Sequence, residues 1–338
     1  MVNIGVIGYG YWGPNLVRNF EQMPESNLVT CCDLNPDNLK KVKALYPEVE
    51  VTREVEDVLT NPSIDAVVIA TSAVTHYELA KRALQAGKHV MVEKPLTLDS
   101  ATSRDLIEIA DKAGCILMVG HLLEYHPAVD YVKSLIDSGG LGDIQYLYTQ
   151  RLNLGQVRKD ENALWSLAPH DISIMFYLLG GKEPVEVSAR GSSYITEGVE
   201  DVVFCSVAFS DKVLAHIHVS WLDPHKIRKI TVVGNKKMAV FDDMESSEKV
   251  RIYDKGVGSN PDYRAYGEDL TLRFGDITIP SIKMKEPLRS ECEHFIESVQ
   301  NGQRPRSDGY DGLRVVKVLE AAQSSLKNGG KPVKIAEG

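Results

Sequence analysis

Cysteine is scarce in this sequence and poorly spaced for metal or redox work. Cys31, Cys32, Cys115, Cys205 and Cys292 form no CxxC pair, which excludes zinc ribbons, thioredoxin-type sites and a disulfide framework. An odd count suits a reducing compartment, and the expected location is the cytoplasm. Positive charge is also in deficit. Against 47 Asp and Glu stand 38 Lys and Arg, a net charge of -9, so no broad electrostatic footprint for nucleic acid exists. Long apolar runs are missing as well. Asp65 to Ala70 and Ile172 to Leu179 fall far short of the ~18 residues that cross a bilayer. No basic region precedes the apolar Val2-Asn3-Ile4 start, so neither a secretory signal nor membrane attachment is expected. His216 and His218 share a strand face, and His121 and His126 flank a helix start. No carboxylate stands at ligand spacing from either pair, and no metal is expected.

What is present is an ordinary globular composition, 43% hydrophobic and 25% charged with 26 Gly and 15 Pro. A chain of 338 residues is long enough for two domains of typical size. Up to about Leu122 short β-branched runs (Val2–Ile7, Leu28–Cys32, Ala66–Ala70, His89–Val92, Ile116–Val119) alternate with amphipathic segments (Pro14–Gln22, Asp37–Leu45, Thr75–Ala86, Ser100–Ala113). That rhythm predicts βα units and a parallel sheet. A further helix over Pro127–Ser138 links to longer alternating segments between Ile144 and Asp242, which predict a large, mostly antiparallel open sheet. A helix over Pro169–Leu179 interrupts them, and helices over Leu288–Asn301 and Asp308–Asn328 close the chain. Lys255 to Lys285 shows little periodicity. The fold class is therefore α/β: an N-terminal domain of the doubly wound, Rossmann type, residues 1–122, and a C-terminal α+β domain, residues 123–338.

Gly8-Tyr9-Gly10-Tyr11-Trp12-Gly13 fits GxGxxG between a strand and a helix opened by Pro14. In that context Gly8 makes the tight turn, Gly10 lets a pyrophosphate approach the backbone and Gly13 allows close helix packing. Asp33 ends the second strand, where an acid accepts hydrogen bonds from the adenosine ribose and repels a 2′-phosphate. No cation follows in Leu34-Asn35-Pro36-Asp37, so NAD is the expected cofactor. Tyr11 and Trp12 are candidates to shelter it. Glu93-Lys94-Pro95 follows the fifth strand, at the sheet edge where open α/β folds place ligands.

With Ala70-Thr71 through His76, and with Asn162 through Pro169-His170-Asp171, these motifs resemble the Gfo/Idh/MocA family of sugar and cyclitol oxidoreductases over nearly the whole chain. The resemblance implies that Lys94 is the catalytic lysine, that Pro95 follows a cis peptide and that His170 works as acid or base. It adds Thr71, His76 and Glu93 to the cofactor contacts and Asp171 to the substrate contacts, and it implies a homodimer or homotetramer. Val213, Ala215, Ile217 and Val219 are then the outer, interfacial face of the second sheet. Read from the residues, Pro169 opens a helix, so His170 sits where the positive dipole end favours a neutral ring able to accept a proton. Lys94, as an ammonium, stabilises a developing alkoxide. Ser166 departs from the family, which usually has an aspartate there; Asp160 is the other carboxylate within sequence reach.

Arg158, Lys159, Asn162 and Trp165 combine cations, an amide and an indole, the chemistry of a diphosphate and a sugar. The expected activity is NAD-dependent oxidation of a secondary hydroxyl, by the resemblance the 3-hydroxyl of a nucleotide sugar such as UDP-N-acetylglucosamine or its uronate. Two alternatives stand beside it: a free sugar or inositol dehydrogenase, and a non-catalytic NAD-binding regulator.

Overall fold

A computed structural model describes residues 1–155, 157–159, 161–259 and 270–335. The first half is the expected succession: β1 (Val2–Ile7), α1 (Gly13–Glu21), β2 (Ser26–Cys32), α2 (Pro36–Leu45), β3 (Glu50–Thr52), α3 (Val55–Leu59), β4 (Ala66–Ile69), α4 (His76–Gln85), β5 (His89–Glu93), α5 (Ser100–Ala113) and β6 (Leu117–Gly120). β3 and α3 are too short to carry a period and are invisible to pattern reading. The strands pair in parallel in the order β3-β2-β1-β4-β5-β6. Strand order thus reverses between β1 and β4, the switch point at which doubly wound sheets bind ligands. β4 is buried on both faces, as helices on both sides of a parallel sheet require.

The second half contains α6 (Pro127–Asp137), β7 (Ile144–Leu152), α7 (Ala163–Leu179), β8 (Pro184–Ser192), β9 (Val202–Phe209), β10 (Leu214–Ser220), β11 (Ile227–Gly234), β12 (Met238–Asp242), β13 (Val250–Ser259) and β14 (Leu270–Thr278). After these come α8 (Pro287–Asn301), α9 (Gly309–Lys327) and β15 (Val333–Lys334). Nine strands form one sheet, β14-β13-β12-β11-β7-β10-β9-β8-β15. Its pairing is antiparallel except at the centre, where β10 runs parallel to β7. The alternation Leu270-Thr271-Leu272-Arg273-Phe274 is the sequence signal for β14, cut short by Gly275.

Two expectations change. Val213, Ala215, Ile217 and Val219 are buried rather than outward, because α7 packs on β10 and covers that face. The opposite phase, Leu214 and His216, faces out. The domain division also differs. One compact unit comprises Met1–Tyr125 together with Lys285–Lys317, and the other His126–Met284 with Val318–Gly338. The break expected after residue 122 lies close to Tyr125, but residues 285–317 return to the first unit. The apolar side of α8 explains the return: Leu288, Cys292, Phe295 and Ile296 join the core of β1, α1 and β2, and Phe295 meets Phe20 edge-on at 6.4 Å.

The core of the first unit is incomplete without α8. Phe295→Ala is therefore expected to cost about 3–5 kcal/mol, as for other buried aromatic truncations, measured by denaturant unfolding with a probe in the first unit. A loss below ~1 kcal/mol would show that α8 is peripheral to it.

Candidate active site

In the first unit the glycine loop has the form that its spacing predicts. Gly8 adopts φ +102°, and a Cβ there would lie 2.6 Å from the Ala70 carbonyl oxygen. A Cβ on Gly13 would lie 2.2 Å from the Gly8 carbonyl oxygen, so only glycine lets α1 start against the turn. Around Gly10 nothing stands within 4 Å of a Cβ, which leaves room for a pyrophosphate beside the backbone. The loop therefore fits a dinucleotide. Tyr11 is fully exposed, while Trp12 packs against the core at the start of α1.

Asp33 is fixed rather than free. Its Oδ2 accepts from the Tyr9 amide at 2.6 Å, and its Oδ1 accepts from the Asn35 amide at 2.8 Å and the Asn38 side chain at 3.2 Å. These bonds join the end of β2 to the glycine loop and hold a half-exposed carboxylate at the loop's edge. Sequence reading passed over Arg53, whose Nε donates to the Leu34 carbonyl at 3.2 Å; a cation separated by twenty positions from Asp33 gives no local motif.

His76 was expected among the cofactor contacts, and the structure corrects this. Its ring is 1% exposed, with Nδ1 2.8 Å from the Pro95 carbonyl and Nε2 3.3 Å from the Thr71 carbonyl. Burial lowers its pKa, so a neutral ring donates one hydrogen bond, to the closer Pro95 oxygen. The histidine braces the turn that carries Lys94. Thr71 remains half-exposed, its hydroxyl 2.7 Å from that of Thr75. The Lys94-Pro95 peptide is cis. Glu93 accepts from the Lys94 amide at 3.3 Å and from the Trp12 side chain, and burial pushes its carboxyl up to about 7.

In the second unit α7 starts at Ala163, not at Pro169. Asn162 is its N-cap, accepting from the Trp165 amide at 3.2 Å, and Pro169 lies inside the helix. The preference of proline for a first helical turn misleads here because the helix is buried and apolar almost all round, and tertiary packing offsets the lost hydrogen bond. His170 is therefore mid-helix, and the dipole reasoning, which holds only within the first turn, does not apply to it. Ser166, one turn earlier, shares its face.

Several expected substrate contacts prove to be committed elsewhere. The Asn162 amide donates to Glu200 at 2.6 Å and to Gln323 at 2.9 Å, and the Trp165 indole donates to Gln323 at 3.2 Å. Asp171 is buried in a two-pronged ion pair with Arg151, Nε to Oδ2 2.8 Å and a terminal nitrogen to Oδ1 3.3 Å. It ties α7 to β7 and is closed to a substrate. Burial raises its pKa against the pull of Arg151. Arg158 pairs with Glu161 at 2.7 Å and, like Lys159, is exposed. Asp160 lies outside the described residues. No cluster of three metal-ligating side chains occurs among the described residues, and no helix there is long and apolar enough to cross a membrane.

Comparison with known proteins agrees with this geometry. Residues 2–121 match the oxidoreductase family with an NAD-binding Rossmann fold, and residues 129–240 match the Gfo/Idh/MocA C-terminal domain. The chain belongs to the Gfo/Idh/MocA family. It is an oxidoreductase with NAD as cofactor. It is 26% identical to a UDP-N-acetylglucosamine 3-dehydrogenase of Acidithiobacillus ferrooxidans over 92% of this chain and 93% of that one. The solved structure of that enzyme superposes with a TM-score of 0.81, covering 96% of this chain and 97% of that chain. An NADP-dependent scyllo-inositol 2-dehydrogenase of Bacillus subtilis is 24% identical over 96% and 94% of the two chains. GenD2 from gentamicin A biosynthesis, solved with NAD, has the same fold, with a TM-score of 0.83 at 23% identity over 99% of this chain and 97% of that one.

Removing one partner of a buried ion pair leaves the other charge uncompensated. Asp171→Asn is expected to destabilise the protein by about 3–5 kcal/mol in chemical denaturation. A normally stable variant with a raised substrate KM would return Asp171 to the substrate contacts.

Proposed function

We propose that this oxidoreductase oxidises a secondary hydroxyl, the 3-hydroxyl, of a nucleotide-linked sugar such as UDP-N-acetylglucosamine or its uronate. The observation that carries the reading is the pairing of a built dinucleotide loop with Glu93-Lys94-cis-Pro95 in a chain that aligns end to end with a UDP-N-acetylglucosamine 3-dehydrogenase. NAD, when bound, supplies the hydride acceptor. Gly8, Gly10 and Gly13 would hold its pyrophosphate, and Asp33 its ribose diol. Lys94 stabilises the hydroxyl oxygen as negative charge grows on it. The imidazole of His170 takes the hydroxyl proton. Ser166 carries no charge with which to raise the basicity of that ring. Arg158 and Lys159, both exposed on the loop before α7, remain candidates for the diphosphate.

The second reading, a free sugar or inositol dehydrogenase, is favoured by the comparable similarity to inositol dehydrogenases. A non-catalytic NAD-binding regulator is disfavoured by the retained Lys94 and His170. Self-association as a homodimer or homotetramer belongs to the same proposal. Tyr146, Tyr148, Phe204 and Leu214 leave large apolar surface on the open side of the second sheet, which marks interaction surfaces.

NADH formation across a panel of UDP-sugars, free hexoses and inositols tests the substrate class. Turnover is expected with UDP-N-acetylglucosamine or its uronate; robust turnover with inositol and none with any UDP-sugar installs the second reading. Lys94→Met and His170→Asn are each expected to lower kcat by roughly 10²–10⁴, the usual contribution of a positioned electrostatic or acid–base group, with NAD affinity measured by calorimetry unchanged. Near-normal turnover in the His170 variant removes that residue from the chemistry.

A further inference from the structure

Behind Glu93 the first unit gathers ionisable side chains that the proposed chemistry does not use. Glu291, on α8, is wholly buried, and neither of its carboxyl oxygens has a hydrogen-bond partner among the described residues. His121, directly after β6, is also wholly buried, and both of its ring nitrogens lack partners there. Glu124 and Asp311 each leave one buried oxygen in the same condition. His121 Nε2 is 4.0 Å from Asp311 Oδ2, beyond hydrogen-bond range. The Glu93 carboxyl lies 3.1 Å from where a Cβ on Gly120 would stand, so the missing side chain of Gly120 is what admits it.

Glu124 and Asp311 share a side-chain hydrogen bond, and the other groups sense them and one another through charge. Burial raises Glu291, and the nearby charge of Glu93 adds to it. Burial, then Asp311, then Glu291 raise Glu124, which Arg306 opposes. Asp311 is pushed up to about 6 by burial, and His121 down to about 3 by burial and by Lys94. Tyr125 and Cys292, both buried, complete the surroundings of Glu291. Burial thus favours the uncharged form of Glu291 and of the His121 ring alike. Buried polar atoms in folded proteins almost always have partners, and buried oxygens and nitrogens that find none in the protein are those that an internal water joins.

We propose that Glu291, Glu124, Asp311 and His121 enclose an internal water site, and that Glu291 passes a hydrogen bond through it to the Glu93 carboxylate. Glu93, so held, fastens the Lys94 amide and the Trp12 indole to one another. Glu291 is then a positioning residue that acts on Lys94 through Glu93. Its effect on turnover rests on the catalytic role proposed for Lys94; the water site itself does not.

The test is a pH titration of Trp12 fluorescence in the full-length protein, with Trp12→Phe subtracting the other two indoles. A step with a midpoint near 7 is expected, and Glu93→Gln should abolish it. Glu291→Gln keeps a neutral donor and should leave the midpoint within a few tenths of a unit. Glu291→Met removes the donor and should raise it by about a unit, because a hydrogen bond to the carboxylate favours ionisation. A fall of a unit in Glu291→Gln would mean that Glu291 is an anion, and an unmoved midpoint in Glu291→Met would mean that no bond reaches Glu93; either overturns the proposal. If Glu291→Met fails to fold, a high-resolution crystal structure decides, since absence of water density within bonding distance of Glu291 and Glu93 also overturns it. With an accepted substrate, Glu291→Met should lower kcat at constant KM for NAD, and Glu291→Gln should restore it. Should the substrate reading fail, the fluorescence and crystallographic outcomes stand unaffected.

Discussion

One close approach organises the cofactor end of this molecule: the α-carbon of Gly13 lies so near the Gly8 carbonyl that no Cβ fits between them. Because α1 can begin only there, its first amides face the turn. The same turn brings Gly8 against Ala70, at the end of β4, and places the Tyr9 amide on Asp33, at the end of β2. Three strand ends are thereby fixed to one another by backbone and one short side chain. A larger residue at either glycine would not simply crowd a ligand. It would separate β1 from the strands on either side of it, and with them the Asp33 carboxylate from the glycine loop.

Much of this was legible in the sequence, and the reasons for success and failure are physical. The βα rhythm, the glycine loop, Asp33 and Glu93-Lys94-Pro95 are local patterns, and the parallel sheet converts them into place without further information. Features that depend on partners distant in sequence were not legible. The start of α7 was misread at Pro169 because Asn162 works as a cap only once Glu200 and Gln323 occupy its amide. The phase of β10 was inverted because alternation fixes two faces but not which of them α7 covers. α8 shows an amphipathic pattern, yet nothing in that pattern says that its apolar face belongs with residues from the opposite end of the chain. Asp171 has the type and position of a substrate contact. Only its burial against Arg151 shows that it holds α7 in place.

The two units treat buried charge in opposite ways. In the second, charge is paired: Arg151 meets Asp171, and Asp201 accepts from the Trp221 indole at 2.7 Å and from the Tyr194 and Ile195 amides. Such arrangements fix geometry. In the first, acids and a histidine are buried with too few partners, and burial raises the acids and lowers the histidine. Leaving them so costs stability, because an unfolded carboxyl would ionise freely at pH 7.

That cost has a direction. Between the ordinary carboxyl range and neutrality, the folded first unit binds more protons at Glu93, Glu291, Glu124 and Asp311 than the unfolded chain does, so these groups favour folding less as pH rises. His121, driven the other way, favours folding more as pH rises from about 3 toward its ordinary value. A core designed for stability alone would replace all five with apolar residues of similar volume. Their retention is concentrated where Lys94 is carried, behind a glycine that leaves room for a carboxylate and beside an indole that donates to it. An apolar wall behind Glu93 would leave its charge to the Lys94 side chain, the Lys94 amide and the Trp12 side chain alone. The groups that cost the first unit stability thus stand beside the turn whose carboxyl accepts from the Lys94 amide and the Trp12 side chain.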